Sequence, residues 1–298
     1  MRNDSIKSYL HLHLIVFIWG FTAVLGELIT LDALPLVWYR MLLAVGFVAL
    51  YLWFTKKRIK VSFNLLRIFF VMGLIIALHW FTFFKAIKVS NVSVTLACLS
   101  TGAFFASFLE PVFYRRRIIW YEVLFGLIVV VGLFFIFNFE GNYLYGIILA
   151  LISAFLSALF SVFNGKLATK YDSTIITFYE LIGGVLFFSI YLLFSGGFDL
   201  AFFHVSNSDW IYLIILSSVC TAYAFIASVH VMRHISPYTV MLTINMEPVY
   251  GIILALIVFG EKEQMSTGFY IGTLIILSTV VLNGFVKYFD KKKIKTTQ

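Results

Sequence analysis

The chain has 298 residues, of which 62% are hydrophobic and 12% are charged, against about 45–50% and about 25% in soluble domains. This composition excludes a soluble globular protein, and the absence of long Gly/Ser-rich or polar tracts excludes a collagen-like or disordered chain. The formal net charge is +8, but no basic face is expected to lie away from the bilayer surface, so this charge does not predict nucleic-acid binding.

Ten apolar runs, each about 20 residues long, are predicted to cross the hydrocarbon layer of a lipid bilayer. Each run is predicted to be an α-helix, because backbone groups in lipid must be hydrogen-bonded within the segment and the alternation typical of barrel strands is absent. The predicted spans are residues 10–28, 34–54, 65–84, 92–114, 118–137, 143–163, 174–194, 210–230, 237–259 and 267–285. The predicted fold class is therefore an all-α integral membrane protein with ten transmembrane helices.

The distribution of Lys and Arg predicts which side of the membrane each loop occupies. If both termini are cytoplasmic, all but four of the 22 basic residues lie in cytoplasmic segments, including residues 56–60, 115–117 and 291–295. The four exceptions are Arg40, Lys85, Lys88 and Lys262. We therefore predict that both termini are cytoplasmic and that most of the net charge reflects membrane topology.

The two halves of the chain are predicted to be an internal repeat. Aligning Ser90 with Ser236 superposes whole spans without a gap and places the basic residues 115–117 against the mostly acidic residues 261–263. Loops of opposite charge are expected when two halves insert with opposite orientation. A local match of EPVF at Glu110 to EPVY at Glu247 implies another register and is interpreted as coincidental. The predicted domains are residues 1–139 and 140–298, two inverted five-helix repeats.

Several motifs are spread over nearly the whole chain. They are IWGFTAVLGELI and PLVWYRMLLA in the first two spans, WFTFFKAIKVSNVSVTL in the third and fourth, and HISPYTVMLTINMEPVYGIILALIVFGEKE near the end. With these motifs the sequence resembles the EamA-type permeases of the drug/metabolite transporter superfamily, whose pattern matches Trp19-Gly20, Arg40, Pro248 and Glu261 but is missing a Trp-Gly in span six. The resemblance implies a cavity lined by helices one, three, four, six, eight and nine, and export of metabolites, amino acids or drugs across a bacterial inner membrane.

Glu247 is a candidate coupling residue because it lies near the middle of the predicted ninth span. A charged side chain in the bilayer interior is unfavourable unless it has a counter-charge or water, so its presence suggests a functional role. The adjacent Pro248 removes a backbone hydrogen bond and is expected to bend the helix. We therefore predict that Glu247 and Pro248 couple substrate passage to conformational change. The alternative is that Glu247 only ties neighbouring helices together.

Arg40 and Glu180 each lie about two turns inside a predicted span. Each is a candidate for the substrate pathway or a gate, although each side chain could instead reach headgroups or water by snorkelling. Glu27 is predicted to pair with Arg40 across the short loop between spans one and two, as a structural or gating latch.

The remaining candidates are uncharged or weakly basic. His79 and Trp80 lie deep in span three, which faces the cavity according to the resemblance, although a lone His in an apolar helix is more often a hydrogen-bonded core residue. Trp19 and Thr22 share one helix face at a spacing of three residues. The other predicted pathway residues are Thr101, Tyr223 and Asn245.

The sequence contains no metal-ligand spacing, Walker loop, nucleophile motif or dinucleotide fingerprint in a suitable context. We therefore predict no cofactor, no metal centre and no ATP-driven pump. The leading prediction is a monomeric secondary transporter that exports a small organic metabolite, amino acid or drug-like compound by alternating access. The alternatives are an intramembrane enzyme and a structural or regulatory membrane protein.

Overall fold

The computed structural model describes residues 2–139 and 141–296, and all regular elements within them are helices. Two short 3-10 segments occur at Gly141–Tyr143 and Gly260–Glu263, and one π-helical segment at Ser218–Tyr223. The α-helices are α1 (Arg2–Leu28), α2 (Ala33–Thr55), α3 (Phe63–Val89), α4 (Val92–Leu99), α5 (Gly102–Tyr114), α6 (Trp120–Phe139), α7 (Leu144–Ala168), α8 (Ser173–Ser195), α9 (Leu200–Phe203), α10 (Asn207–Ser217), α11 (Ala224–Val231), α12 (Pro237–Ile244), α13 (Glu247–Phe259) and α14 (Thr267–Thr296).

The described residues contain eight helical segments that are long and apolar enough to cross a membrane. Two further apolar helices, Trp120–Ile136 and Thr267–Thr279, are shorter. These segments coincide with the ten apolar runs of the sequence, so the predicted all-helical membrane architecture is confirmed at this level.

Two spans that were predicted as continuous helices are broken in the middle. The fourth span consists of α4 and α5, which are separated at Ser100 and Thr101, and the ninth consists of α12 and α13, which are separated at Asn245 and Met246. The parts have matching lengths, because α4 and α12 each have 8 residues and α5 and α13 each have 13. The same broken span therefore occurs once in each half of the chain.

The broken spans determine the register of the repeat. They align Val92 with Pro237 and Gly102 with Glu247, which is one position away from the alignment predicted from the sequence. In this register Glu110 and Glu247 are not equivalent, because Glu247 begins α13 whereas Glu110 lies near the end of α5. The two Glu-Pro-Val motifs therefore occupy different positions in the two halves.

The packing of the helices also repeats between the halves. α1 packs on α13 and its counterpart α7 packs on α5, while α4 contacts α13 and α5 contacts α12. α6 packs on α14, where a Cβ atom on Gly132 would lie 2.7 Å from the carbonyl oxygen of Gly272. A Cβ atom on Gly272 would lie 2.5 Å from the carbonyl oxygen of Gly132. These two glycines therefore allow the backbones of α6 and α14 to approach closely.

Candidate functional site

A narrow cavity of about 60 Å³ lies between the two halves, and we call it the central cavity. Its walls come from α1 to α4 of the first half and from α7, α11, α12 and α13 of the second. This volume accommodates a few water molecules, whereas small-molecule sites typically measure about 300–1,000 Å³. Binding of a metabolite therefore requires movement of side chains or helices. The predicted residues that line this cavity are Trp19, Thr22, Arg40, His79, Trp80 and Glu247.

Arg40 provides the cationic group of the central cavity and is 1% exposed. Its Nε atom donates a hydrogen bond to Thr221 Oγ1 at 2.7 Å, and its guanidinium lies 4.0 Å from the centroid of the Trp80 ring. An aromatic face stabilises a desolvated guanidinium. Nη1 is buried and has no hydrogen-bond partner among the described residues. Arg40 therefore does not snorkel outward, and it retains a donor that a ligand could use.

The predicted pair of Glu27 and Arg40 is wrong. Glu27 lies in the last turn of α1 beside Lys88, whose Nζ atom donates to the carbonyl oxygens of Glu27 at 3.4 Å and Ile29 at 2.5 Å. Arg40 lies two turns inside α2, and its side chain is directed into the bundle, where Thr221 and Trp80 hold it. The short loop between the helices brings their ends together, but it does not bring these two side chains together.

Glu247 provides the acidic group of the central cavity and is 4% exposed. It is the first residue of α13 instead of a residue inside a continuous helix. The positive end of a helix dipole stabilises a carboxylate at this position. Pro248 therefore lies in the first turn, where its missing N–H disturbs no helical hydrogen bond. The bend that was predicted at Pro248 is instead a helix break at Asn245 and Met246.

One side of His79 is hydrogen-bonded to α7, and its other side lines the central cavity. Its Nδ1 atom lies 2.9 Å from the carbonyl oxygen of Ser153, and the Ser153 hydroxyl donates to the carbonyl oxygen of His79 at 3.0 Å. A carbonyl oxygen only accepts, so Nδ1 carries a proton. In the neutral imidazole, Nε2 is then an acceptor.

Three predicted pathway residues do not line the central cavity. Thr101 lies at the break between α4 and α5, where its hydroxyl donates to the carbonyl oxygen of Cys98 at 2.8 Å. Asn245 lies at the break between α12 and α13 and is fully buried, and neither of its side-chain polar atoms has a partner in the described part of the chain. Tyr223 is 45% exposed, and its hydroxyl lies 3.0 Å from His11 Nε2.

The π-helical segment explains the position of Tyr223. A π turn inserts an extra residue into a helix and rotates the residues that follow it. Thr221, inside the segment Ser218–Tyr223, therefore points toward Arg40, while Tyr223 points away from the central cavity. Thr221 was not predicted from the sequence, nor were Phe225 and Ser228, which line the cavity from α11. Spacing rules based on 3.6 residues per turn do not predict this rotation.

Tyr223 lines a second cavity of about 690 Å³, which lies among α1, α2, α8, the π segment and α11. Lys57 and Asp172 form an ion pair at its wall, with 2.8 Å between Nζ and Oδ2. Partial burial raises the pKa of Asp172, but the hydrogen bond and the charge of Lys57, together with hydrogen bonds from Thr174, outweigh burial and bring the pKa below the usual 3.8. α11 separates the two cavities, since Phe225 faces the central cavity and Ile226 the second.

Glu180 lines neither cavity and is fully buried, so the predicted alternative that it reaches water is wrong. Its Oε1 atom accepts a hydrogen bond from Asn164 Nδ2 at 3.0 Å. Glu180 and Arg40 occupy equivalent positions in two helices of equal length, because α2 and α8 each have 23 residues. Each half of the chain therefore buries one ionisable side chain at the same place in its second span.

Comparisons with known proteins agree with this architecture. A model of the EamA-like transporter family matches residues 6–138 and 144–285. An uncharacterized transporter of Archaeoglobus fulgidus is 24% identical over 284 residues, which cover 93% of this chain and 96% of that protein. A solved crystal structure shares the fold, with a TM-score of 0.70 at 13% identity over 94% of this chain and 98% of that chain.

Proposed function

We propose that this chain, which belongs to the EamA-like transporter family of the drug/metabolite transporter superfamily, is a secondary transporter that exports a small organic compound across a bacterial inner membrane. Membership of this family makes it a multi-pass membrane transporter of a small molecule and not an enzyme. The central cavity is complete within one chain, and this supports a monomeric transporter.

The observation that carries this proposal is the chemistry of the central cavity. It places the cationic Arg40 and the acidic Glu247 among aromatic side chains that include Trp19 and Trp80. A guanidinium with a spare donor binds a carboxylate, and a buried carboxylate binds an amine. The preferred substrate is therefore a zwitterion of amino-acid type whose side chain packs on the aromatic wall.

Alternating access is supported by the matched packing of the two halves. Both halves contribute to the central cavity, and the broken spans α4–α5 and α12–α13 contact each other reciprocally. We take residues 1–139 and 140–298 as the two moving units, which are inverted relative to each other in the membrane. Both termini are taken as cytoplasmic, as the Lys and Arg distribution indicates. Thr101 and Asn245 lie at the breaks and are proposed as residues about which each span bends.

Glu247 is proposed to couple substrate movement to the proton gradient. It lies at the break of the ninth span and in the wall of the cavity, where water reaches it when the cavity opens. Desolvation favours the neutral carboxyl and hydration favours the ionised one. In proteoliposomes with an imposed pH gradient, Glu247→Gln is expected to reduce flux, because the amide lacks the charge that binds the amine, and the remaining flux is expected not to depend on the gradient. Wild-type flux with an unchanged pH response in this variant would leave Glu247 a packing residue.

The transport activity itself is tested with purified protein in proteoliposomes and a panel of radiolabelled amino acids. The expected result is time-dependent flux of at least one zwitterion, which Arg40→Gln reduces strongly and Arg58→Gln, at an exposed position, does not. Absence of flux for every compound of the panel, in a folded protein, would contradict the proposal.

The inverted topology is tested by labelling single cysteines with an impermeant maleimide. Both natural cysteines, Cys98 and Cys220, are buried and give a low background. Lys262→Cys is expected to be labelled in intact cells, whereas Arg117→Cys is expected to be labelled only after permeabilisation. Labelling of Lys262→Cys from the cytoplasmic side alone would overturn the inverted arrangement.

A further inference from the structure

The second cavity, of about 690 Å³, combines an apolar inner wall with a basic outer end. Its inner wall includes Val48 of α2 and Ile226 of α11. Its outer end carries Lys57, two residues after the end of α2, and Arg233, two residues after the end of α11. Because α2 completes the second span and α11 the eighth, both helices end at the same membrane surface. The cavity therefore runs from the level of the lipid headgroups into the hydrocarbon layer.

The depth of the cavity matches one leaflet of a bilayer. Phe47, which lines it, lies eight residues before the end of α2, or about 12 Å along the helix axis. Ala222 lies nine residues before the end of α11, which gives a similar depth on the opposite wall. The hydrocarbon core of a bilayer is about 30 Å thick, so each leaflet contributes about 15 Å. The apolar wall is therefore long enough to hold most of one acyl chain.

The cavity also reaches the outer surface of the helix bundle, which faces lipid. Tyr51 of α2 is 48% exposed and Tyr223 of the π segment is 45% exposed, and both residues line the cavity. Val219, about one turn before Tyr223, is 45% exposed on the same surface. On its other side, α11 separates the cavity from the central cavity. An occupant can therefore enter the second cavity sideways from the bilayer without passing through the substrate path.

The outer end of the cavity carries an excess of positive charge. The charge of Lys57 is compensated by Asp172, whereas Arg233 forms no ion pair in the described part of the chain. Nη2 of Arg233 donates a hydrogen bond to the carbonyl oxygen of Tyr171, which is uncharged. A guanidinium has five N–H donors, so others are left for a ligand. Because a guanidinium binds phosphate oxygens through two parallel hydrogen bonds, the outer end complements a phosphate group.

The two ends of the cavity together distinguish the candidate occupants. Water hydrates a guanidinium but not an apolar wall, where its presence is unfavourable. A soluble anion would bind Arg233 and leave the apolar wall uncovered. A neutral acyl chain would cover the wall and leave the charge of Arg233 without a partner. A molecule with an acyl chain and an anionic headgroup complements both ends at once.

We propose that the second cavity binds an anionic phospholipid, with its phosphate at Arg233 and one acyl chain along Phe47 and Ile226. Basic pockets between transmembrane helices bind acidic lipid headgroups in this way. His11 and His230 also line the cavity and can donate to the headgroup. A zwitterionic lipid would bring an ammonium group close to Arg233, so a lipid with a net negative charge is preferred. This site goes beyond the proposed transport function and does not depend on it.

The experiment measures the melting temperature of the full chain in detergent with three probes. They are dioctanoyl phosphatidylglycerol, dioctanoyl phosphatidylcholine, which has no net charge, and glycerol 1-phosphate, which has no acyl chain. A ligand that binds only the folded state stabilises it by mass action. Phosphatidylglycerol is expected to give a saturable increase, about 5 °C at about 100 times its dissociation constant, and the other two probes a smaller one. Native mass spectrometry is expected to show one phosphatidylglycerol retained per chain.

Two variants with matched controls make the assignment specific. Arg233→Gln is expected to bind phosphatidylglycerol about fivefold more weakly, whereas Arg58→Gln, in the loop after α2 but outside the cavity, is expected to behave as the wild type. Ile226→Trp is expected to weaken binding by a similar factor, because the indole occupies the space of the acyl chain. Its control is Ile257→Trp at an exposed position of α13. Each variant tests the site by itself if the other fails to fold.

Several outcomes would overturn the lipid site. An equal response to phosphatidylcholine would mean that the headgroup charge is not recognised, and an equal response to glycerol 1-phosphate would assign Arg233 to a soluble anion. Dimers that form without lipid and block its binding would assign the cavity to a second copy of the chain. An undiminished response in Arg233→Gln or Ile226→Trp, or no response in the wild type, would also contradict it. None of these measurements requires substrate, so a failed transport assay would leave the lipid result intact.

Discussion

Glu263 accepts a hydrogen bond from the backbone nitrogen of Ser93 at 2.9 Å through Oε2, and a second from Val92 at 3.0 Å through Oε1. A buried residue after α13 thereby caps the first turn of α4, where the helix dipole favours negative charge. Glu110 of α5 accepts from the backbone nitrogen of Tyr238 in α12 at 2.7 Å. Each half therefore caps the broken span of the other half.

Glu263→Gln is expected to lower the free energy of unfolding by about 1–3 kcal/mol. The amide retains the shape but offers one acceptor to two backbone N–H groups and removes the charge from the helix terminus. Thermal unfolding in detergent measures the change, and Glu261→Gln, a nearby exposed substitution, is the matched control. Equal melting temperatures for the two variants would show that the cap of α4 contributes nothing to stability.

Arg40→Lys is expected to reduce substrate flux by about tenfold or more, although the charge is conserved. An ammonium has no planar face to stack on Trp80, and its donors lie on one compact nitrogen, so it cannot span the distance from Thr221 to the cavity as the forked guanidinium does. Flux in proteoliposomes is the measurement, and Arg58→Lys at an exposed site is the control. Wild-type flux in Arg40→Lys would mean that positive charge alone suffices there.

Gly272→Val is expected to weaken the packing of α6 on α14. The new side chain would meet the carbonyl oxygen of Gly132, so the two helices must separate. We expect a lower melting temperature and a smaller monodisperse fraction in size-exclusion chromatography. Gly46→Ala is the control, because a Cβ atom at Gly46 meets nothing within 4 Å. A Gly272→Val protein as stable as the control would contradict the close approach of the two backbones.

Asp172→Asn is expected to show that the ion pair with Lys57 makes a pH-dependent contribution to the free energy of unfolding. Because the folded-state pKa of Asp172 lies below its usual 3.8, the pair stabilises the fold above that value, and this stabilisation is lost as the pH falls through the folded-state pKa. The two side chains are 34% and 43% exposed, so the contribution is at most about 1 kcal/mol. The wild type should therefore melt slightly higher than the variant at pH 7 and equally in acid.

The matched control for this pair is Asp32→Asn. Asp32 is likewise an aspartate at a helix N-cap, but it is exposed and its side chain makes no capping hydrogen bond. Asn at position 172 can still cap α8, so the comparison isolates the charge. A difference between wild type and Asp172→Asn that stays constant from neutral to acidic pH would contradict the assigned pair.

The membrane spans could be predicted from the sequence, because a bilayer requires about 20 apolar residues from any helix that crosses it, whatever packs beside that helix. Several residues of the central cavity could be proposed in the same way. Trp19, His79, Trp80 and Glu247 lie inside apolar runs, where polar or amphipathic side chains are unfavourable against lipid and are expected to face other helices. The structure places all four in the wall of the central cavity.

The contacts that these residues make depend on how the helices cross. The spacing of residues along one helix does not predict that crossing. Arg40 contacts Thr221, a residue 181 positions away, because the π segment turns Thr221 inward and Tyr223 outward. Glu110 and Glu263 lie near helix ends in the sequence, yet each binds backbone nitrogens of the opposite half. The length of the apolar runs thus predicts which segments enter the membrane, whereas the contacts that join the two halves around the cavity form only when the halves pack together.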